Sequence, residues 1–313
     1  MITLEQRMAG GLWGSLVGDA LGVPVEFQGR DARKADPVTG MRAFGTYNQP
    51  AGTWSDDGAL LLCSAESLVA AGFDTQDMGR RFLRWYDGGH WAAHGKVFDI
   101  GNTTARALGQ ISDGTPAEEA GGTRENDNGN GSLMRILPVA LASLKEADSV
   151  FADRLERASA ITHGHPRSRM ACVFFGLVVR SLVEGVRPEE AINAAAACFE
   201  AFYQGCPELG AFRVLCDRDL VHMAEHSISS GGYVMDTLTA SLWCLLTTST
   251  FAEAVLRAVN LGWDTDTTGC VTGGLAGVWY GIDAIPSEWR QVLPRQAELT
   301  ELTRQFNNHL AAP

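Results

Sequence analysis

Very little in this 313-residue chain speaks for a nucleic-acid coat, a membrane span or a β-fold. Basic residues are scarce: 25 Lys and Arg stand against 37 Asp and Glu, a net charge of −12. A surface that coats nucleic acid needs a basic patch to neutralise phosphates, so that class is disfavoured. Long apolar runs are missing too. The longest, Ala171–Val179 and Gly269–Tyr280, fall short of the roughly 20 residues a bilayer requires. The stretch from Met1 to Arg7 carries charge early and lacks the apolar centre of a signal peptide. The seven cysteines include no Cys-x-x-Cys pair. An odd, unpatterned set in apolar surroundings points to a reducing compartment, and hence to a cytoplasmic protein. No His or Cys cluster has metal spacing, which disfavours zinc. Strand-like alternation is rare, and Val38–Thr46 is broken by glycine.

Helical periodicity takes its place. Leu61, Ser64, Ala65 and Leu68 follow an i, i+3, i+4, i+7 pattern. Phe174–Leu182, Leu238–Leu246 and Phe251–Val259 repeat it, and Ala191–Ala201 is rich in alanine, the best helix former. Two stretches read as irregular: Gln28–Ser55, broken by Pro37, Gly40, Gly45, Pro50 and Gly52, and Ser112–Ser132, with almost no large apolar residue. Long loops inside a compact domain are usually functional or disordered. No linker or fixed-period repeat divides the chain. The expectation is one all-α domain over residues 1–313, multi-helical, with a cleft lined by loops at one end.

Two acidic clusters stand out, Ser55-Asp56-Asp57 and Asp264-Thr265-Asp266-Thr267. Each precedes a helical segment, so each is explicable as a cap with acids favoured by the helix dipole. Paired acids exceed what capping needs, and four nearby carboxylates repel unless a cation neutralises them. Their donors are all oxygen, which suits Mg²⁺, Mn²⁺ or Ca²⁺. Glycine is abundant, 35 residues, and it concentrates beside these clusters. Gly10, Gly14, Gly18 and Gly22 recur at every fourth position. So do Gly269, Gly273, Gly277 and Gly281. Interior helix glycines cost about 0.5–1 kcal/mol each relative to alanine. Two such ladders imply that their helices pack closely near the acidic clusters; general tolerance of small residues is the blander account.

Other segments offer polar groups. Pro24 should end the first helix at Val23, leaving Glu26 in a turn between apolar neighbours, either a solvated acid or a general base. Asn128, Gly129, Asn130, Gly131 and Ser132 open a helix near Leu133, and such a loop either holds a phosphate or is a plain turn. His163 precedes a helix with Pro166 at its first position, and is either a solvent-facing turn residue or a substrate contact. Asp99 and Tyr233 sit in polar loops that enter helices.

In this order, these segments resemble the ADP-ribosylglycohydrolase family over nearly the whole chain, from Gly11 to about Trp289. The motifs that carry the resemblance are Gly18-Asp19-Ala20-Leu21-Gly22 with Glu26, Ser55-Asp56-Asp57, Gly129-Asn130-Gly131 with Met134-Arg135, Thr162-His163 and Asp264-Thr265-Asp266-Thr267. The similarity is greatest to the branch that removes ADP-ribose from arginine of dinitrogenase reductase. It implies an all-α fold with a binuclear Mg²⁺ or Mn²⁺ centre. It implies Ser55, Asp56, Asp57, Asp264, Asp266 and Thr267 as ligands, with Glu26, Asp56 and Asp57 in catalytic roles. Asp99, Asn128, Gly129, Asn130, Gly131, Ser132, His163 and Tyr233 then contact substrate. The implied reaction is hydrolysis of the N-glycosidic bond of ADP-ribosylated arginine on a protein, by a monomer, releasing ADP-ribose. The rivals are another ADP-ribosyl linkage (serine, a nucleobase or a small derivative), a non-catalytic ADP-ribose binder, and a metal-dependent phosphoesterase. The chain departs from the family pattern at Ser55, where threonine is usual, and at Trp263, where glycine is usual. The Trp263 ring is expected to narrow the pocket.

Overall fold

In the computed structural model, which describes residues 2–217 and 219–311, helices account for the regular structure. Three isolated β-bridges form among the described residues, and no sheet. Among the described residues eleven helices have ten residues or more, numbered here in chain order: α1 Leu4–Gly22, α2 Asp56–Ala71, α3 Thr75–Gly88, α4 Asn102–Ser112, α5 Asp148–Ala160, α6 Pro166–Val183, α7 Pro188–Phe202, α8 Val234–Leu246, α9 Phe251–Asn260, α10 Thr265–Tyr280 and α11 Gln296–Ala311. Every periodic segment read from the sequence forms one of them. No helix among the described residues is long and apolar enough to cross a membrane.

The pair α1 and α10 forms the centre. Both are buried on nearly every side, α1 from Arg7 onward and α10 as far as Val278. A helix apolar all round belongs in a core, and a helix with one apolar stripe belongs at its edge. The outer helix α3 shows the second pattern, burying Met78, Phe82 and Trp85 against exposed arginines. One continuous apolar cluster runs from Met8 to Phe306.

The glycine ladders explain how α1 and α10 meet. A Cβ on Gly10 would fall 2.2 Å from the Gly277 carbonyl oxygen, one on Gly14 2.2 Å from that of Gly273, and one on Gly18 1.9 Å from that of Gly269. The pairing is reciprocal and antiparallel. The backbones therefore touch, with no room for a methyl group. The last rung differs. Gly22 lies against the backbone of Asp266, where a Cβ would meet the amide nitrogen at 2.3 Å. Gly281 caps α10 at φ +78°: its carbonyl carbon lies 2.8 Å from where a Cβ on Gly10 would stand, but a Cβ of its own would meet the Ile2 side chain.

The loops hold more structure than composition suggests. Within Gln28–Ser55, Arg30–Ala35 is helical, tied down by the Arg30 guanidinium, which donates to the carbonyls of Leu261, Glu225 and Ile228. Within Ser112–Ser132, Ala117 and Ala120 are buried in a short turn of helix. All seven cysteines are free.

Candidate metal centre

The two acidic clusters are helix starts, as capping chemistry requires, and tertiary packing brings them together. Ser55 caps α2, its Oγ accepting from the Asp57 amide at 3.2 Å, which places Asp56 and Asp57 in the first turn. Asp264 precedes α10, and Asp266 accepts from the Thr267 amide at 2.9 Å. The Thr267 hydroxyl then reaches Asp57 Oδ1 at 3.4 Å, across 210 residues of sequence. Gly22 makes this possible, because it lets the end of α1 lie flat on the Asp266 backbone while its carbonyl accepts from Thr265 Oγ1 at 2.8 Å.

Asp19 is the residue the sequence reading passed over. It is fully buried. Its carboxylate accepts from the Ser55 amide at 3.0 Å and the Gly58 amide at 2.8 Å, so α1 holds the first turn of α2 from outside. A lone acid among the apolar and glycine residues of a buried helix was the available signal, since a buried carboxylate needs partners.

Burial dominates the electrostatics. It pushes the Asp56, Asp57 and Asp266 carboxyls well above the usual range, with neighbouring acids adding to the effect. Asp264 is raised by the same burial. Glu26 rises to about 9 through burial and the nearby Asp99. Asp19 reaches about 7, with burial partly offset by its backbone hydrogen bonds. Among the described residues, four buried carboxylate oxygens have no hydrogen-bond partner: Glu26 Oε2, Asp57 Oδ2, Asp264 Oδ1 and Asp266 Oδ2. Native proteins rarely leave such atoms unpaired, and a cluster of them fits a cation. Two groups, Asp19 with Asp57 and Asp266, and Glu26 with Asp264 and Asp266, each bring their ligand atoms within 4.8 Å of one another. Asp266 belongs to both. Asp19 already spends its oxygens on backbone amides, so its part is to position. The donors are oxygens alone, the set that hard divalent cations take. A third group, Glu125, His165 and Glu208, is different. Arg167 donates to Glu125 at 2.6 Å and to Glu208 at 2.8 Å, so a guanidinium already neutralises it.

Above the acids opens a cavity of about 510 Å³. Its lining includes the acidic group Glu26, Asp56, Asp57, Asp264 and Thr267, the segment Asp99 to Thr104, and a glycine wall of Gly129, Asn130, Gly131 and His163. Asp99 is held at φ +53° and accepts from the Tyr47 hydroxyl at 2.5 Å. Asn130 joins wall to acids, donating to Asp264 at 2.9 Å and to Thr237 at 2.8 Å. A Cβ on Gly131 would lie 2.8 Å from the His163 ring and 3.0 Å from the Thr104 hydroxyl, so glycine there lets the loop sit against the imidazole. His163 is buried, not solvent-facing.

Other expected residues stand off the cavity. Asn128 is buried with both ends of its amide used, accepting from Ser168 at 2.9 Å and donating to the Glu125 carbonyl at 3.0 Å. Ser132 is fully buried and bonds to Ser159 at 2.8 Å. Tyr233 caps α8, and its hydroxyl accepts from Arg167 at 3.0 Å. It reaches the wall only through backbone, bridging to Gly129. Ser55 and Asp266 lie beneath the acidic side rather than on it. Trp263 does not narrow the pocket. Its backbone takes φ +64°, the left-handed region where glycine is at home, and its exposed ring packs over Gly29.

Comparison with known proteins matches this arrangement to one family. The family model for ADP-ribosylglycohydrolase matches residues 1–312. The chain is 34% identical over 308 residues to the ADP-ribosylarginine hydrolase Tri1 of Serratia proteamaculans (strain 568), covering 96% of this chain and 78% of that one. It is 33% identical over 313 residues to the ADP-ribosyl-[dinitrogen reductase] glycohydrolase of Rhodospirillum rubrum, covering 99% and 97%. A solved structure described as an ADP-ribosylglycohydrolase-related protein complex superposes with a TM-score of 0.84 at 31% identity, over 99% of this chain and all of that one. The central glycine-laddered helix pair, the acids gathered at its end and these matches agree: the chain belongs to the ADP-ribosylglycohydrolase family.

Proposed function

We propose that this protein hydrolyses the N-glycosidic bond joining ADP-ribose to an arginine of a modified protein, with two Mg²⁺ or Mn²⁺ ions at the acidic side of the cavity. The observation that carries the reading is the position of Asp266. It is shared by two carboxylate groups and lies under a cavity that a glycine loop and a buried histidine also line. Asp57, Asp264, Asp266 and Thr267 would hold the ions, with Ser55 and Asp56 completing the set. Bound cations would supply the positive charge that lets these carboxylates ionise together, and Lewis acidity toward the ribose hydroxyls and a water.

The chain's own groups do the rest. Glu26, ionised once bound cations offset its burial and the neighbouring acids, takes a proton from the attacking water. The water oxygen bonds to the anomeric carbon as the bond to the guanidine nitrogen breaks, and that nitrogen gains a proton. The transition state has oxocarbenium character, which nearby carboxylates stabilise. Asn130, fixed between Asp264 and Thr237, holds the Gly129–Gly131 loop against the diphosphate. Asp99, beside Glu26, faces the departing guanidinium, and the acidic lining attracts that cation. The free cysteines suit a cytoplasmic enzyme.

Arginine is favoured over other linkages by the similarity to two arginine-linked relatives. The test is incubation with defined ADP-ribosylated arginine, serine and nucleic-acid substrates, with and without Mg²⁺ or Mn²⁺. Metal-dependent ADP-ribose release from the arginine substrate is expected. Release from another linkage alone would replace arginine, and ADP-ribose binding with no turnover would point to a binder.

A further inference from the structure

The glycine wall of the cavity rests on a buried chain of three side chains. Arg135 is wholly buried, its guanidinium 4.6 Å from the centre of the Phe82 ring. Its Nη2 donates to the Ala158 carbonyl at 3.1 Å and to Thr162 Oγ1 at 2.8 Å. Thr162 is also wholly buried, and its Oγ1 lies 2.9 Å from His163 Nδ1. No carboxylate pairs with Arg135 among the described residues, and its Nε and Nη1 have no partner.

Counting donors decides where the protons lie. A guanidinium only donates, so the Thr162 oxygen accepts from Arg135. The Thr162 hydroxyl has one hydrogen of its own, and His163 Nδ1 is the acceptor within reach. Were Nδ1 to carry a hydrogen and donate instead, the Thr162 hydrogen would be buried without an acceptor, which folded proteins avoid. Nδ1 is therefore bare, and a neutral imidazole then carries its hydrogen on Nε2. That atom lies beside the glycine loop, 3.4 Å from where a Cβ on Gly129 or Gly131 would stand, and among the described residues no group pairs with it.

We infer that Arg135 and Thr162 are positioning residues that lock His163 in its Nε2–H tautomer, so that the imidazole presents a fixed, neutral hydrogen-bond donor to an anionic oxygen of the ligand. Two further features agree. Burial and the Arg135 charge push the His163 value down to about 3, so the ring stays neutral across the physiological range. Arg135 has no carboxylate partner among the described residues, so its charge favours an anion at the glycine wall. The tautomer is a property of the free protein. The ligand, a diphosphate oxygen, rests on the reading of the cavity as an ADP-ribose site.

The experiment is long-range ¹H–¹⁵N correlation on histidine-labelled full-length protein, with the His163 signals identified by their loss in His163→Gln. Wild type and Thr162→Ser should show Nε2 protonated and Nδ1 bare, and Thr162→Val should mix the tautomers or favour Nδ1–H. A wild-type His163 protonated on Nδ1, or charged at neutral pH, overturns the assignment even if Thr162→Val fails to fold. Calorimetry with ADP-ribose and Mg²⁺ then tests the donor role. Thr162→Val should weaken binding about tenfold, while Thr162→Ser stays within about twofold of wild type. Equal binding by a Thr162→Val protein whose tautomer has changed overturns that role. No ADP-ribose binding by wild type would instead sink the reading of the cavity and with it the assigned ligand, leaving the tautomer result to be judged by the spectra.

Discussion

Gly18 and Gly269 are in backbone contact: a single methyl on Gly18 would fall 1.9 Å from the Gly269 carbonyl oxygen. Nothing but glycine fits at this rung without parting α1 from α10. Gly18→Ala should cost about 3 kcal/mol or more, and Gly273→Leu should prevent folding, because overpacking a rigid backbone contact leaves no side chain to give way. Gly109→Ala is the control. Gly109 is an exposed glycine of α4 with open space around it, so alanine there should stabilise by up to about 1 kcal/mol. Urea unfolding of the three variants checks this, and equal midpoints would refute the backbone-contact account.

Asp266 is predicted to act against the metal-free fold. Asp266→Asn removes from both groups a carboxyl whose ionisation burial and neighbouring acids oppose, so it should raise the melting temperature in a chelator while lowering metal-dependent activity at least about 100-fold. Asp57→Asn should behave alike. Thermal melts with EDTA and with Mg²⁺ separate the two effects. Full metal-dependent activity in either variant would remove that residue from the centre.

Asp19 should matter without touching substrate. Asp19→Asn keeps one acceptor oxygen for the Ser55 and Gly58 amides and loses the other, loosening the turn that carries Asp56 and Asp57. Weakening of Mg²⁺ or Mn²⁺ binding by about 10- to 100-fold is expected, as for other groups that orient metal ligands. Titration calorimetry measures it. An unchanged dissociation constant would mean that α2 holds its own first turn.

His163 supplies a pH prediction. Its folded value, about 3, lies below the ~6.5 of an unfolded histidine. The folded state resists a proton that the unfolded state takes, so this contribution is complete above pH ~6.5 and is lost as pH falls from there toward ~3. At pH 5 the loss is on the order of 2 kcal/mol. The drop in unfolding free energy from pH 7 to pH 5 should therefore be smaller in His163→Gln than in wild type. Identical slopes would show that His163 is protonated freely in the fold.

How far the sequence could be read depends on the range of the interactions involved. Helix periodicity, the Ser55 cap, the stop near Val23 and Pro166 at the start of α6 are local, and each was legible. The four-residue glycine spacing was also local, yet it predicted a tertiary contact, because glycine at one helix face has few other uses. The irregular stretches misled for the converse reason. Arg30 is secured by carbonyls about 200 or more residues away, which composition cannot show.

The sequence by itself determined the all-α class, the two helix starts that carry acids and the oxygen-only donor set, since these follow from residue type and spacing. Only the tertiary structure decided which polar groups remain free for a ligand. It spends Asp19 on backbone amides and Asn128 and Ser132 on buried hydrogen bonds, and it turns the Trp263 ring outward. It leaves oxygens of Glu26, Asp57, Asp264 and Asp266 unpaired. The physical reason is that a buried polar atom takes whatever partner packing brings to it. Here those partners arrive from segments as far as 243 residues apart, along a helix pair that glycine alone allows to close.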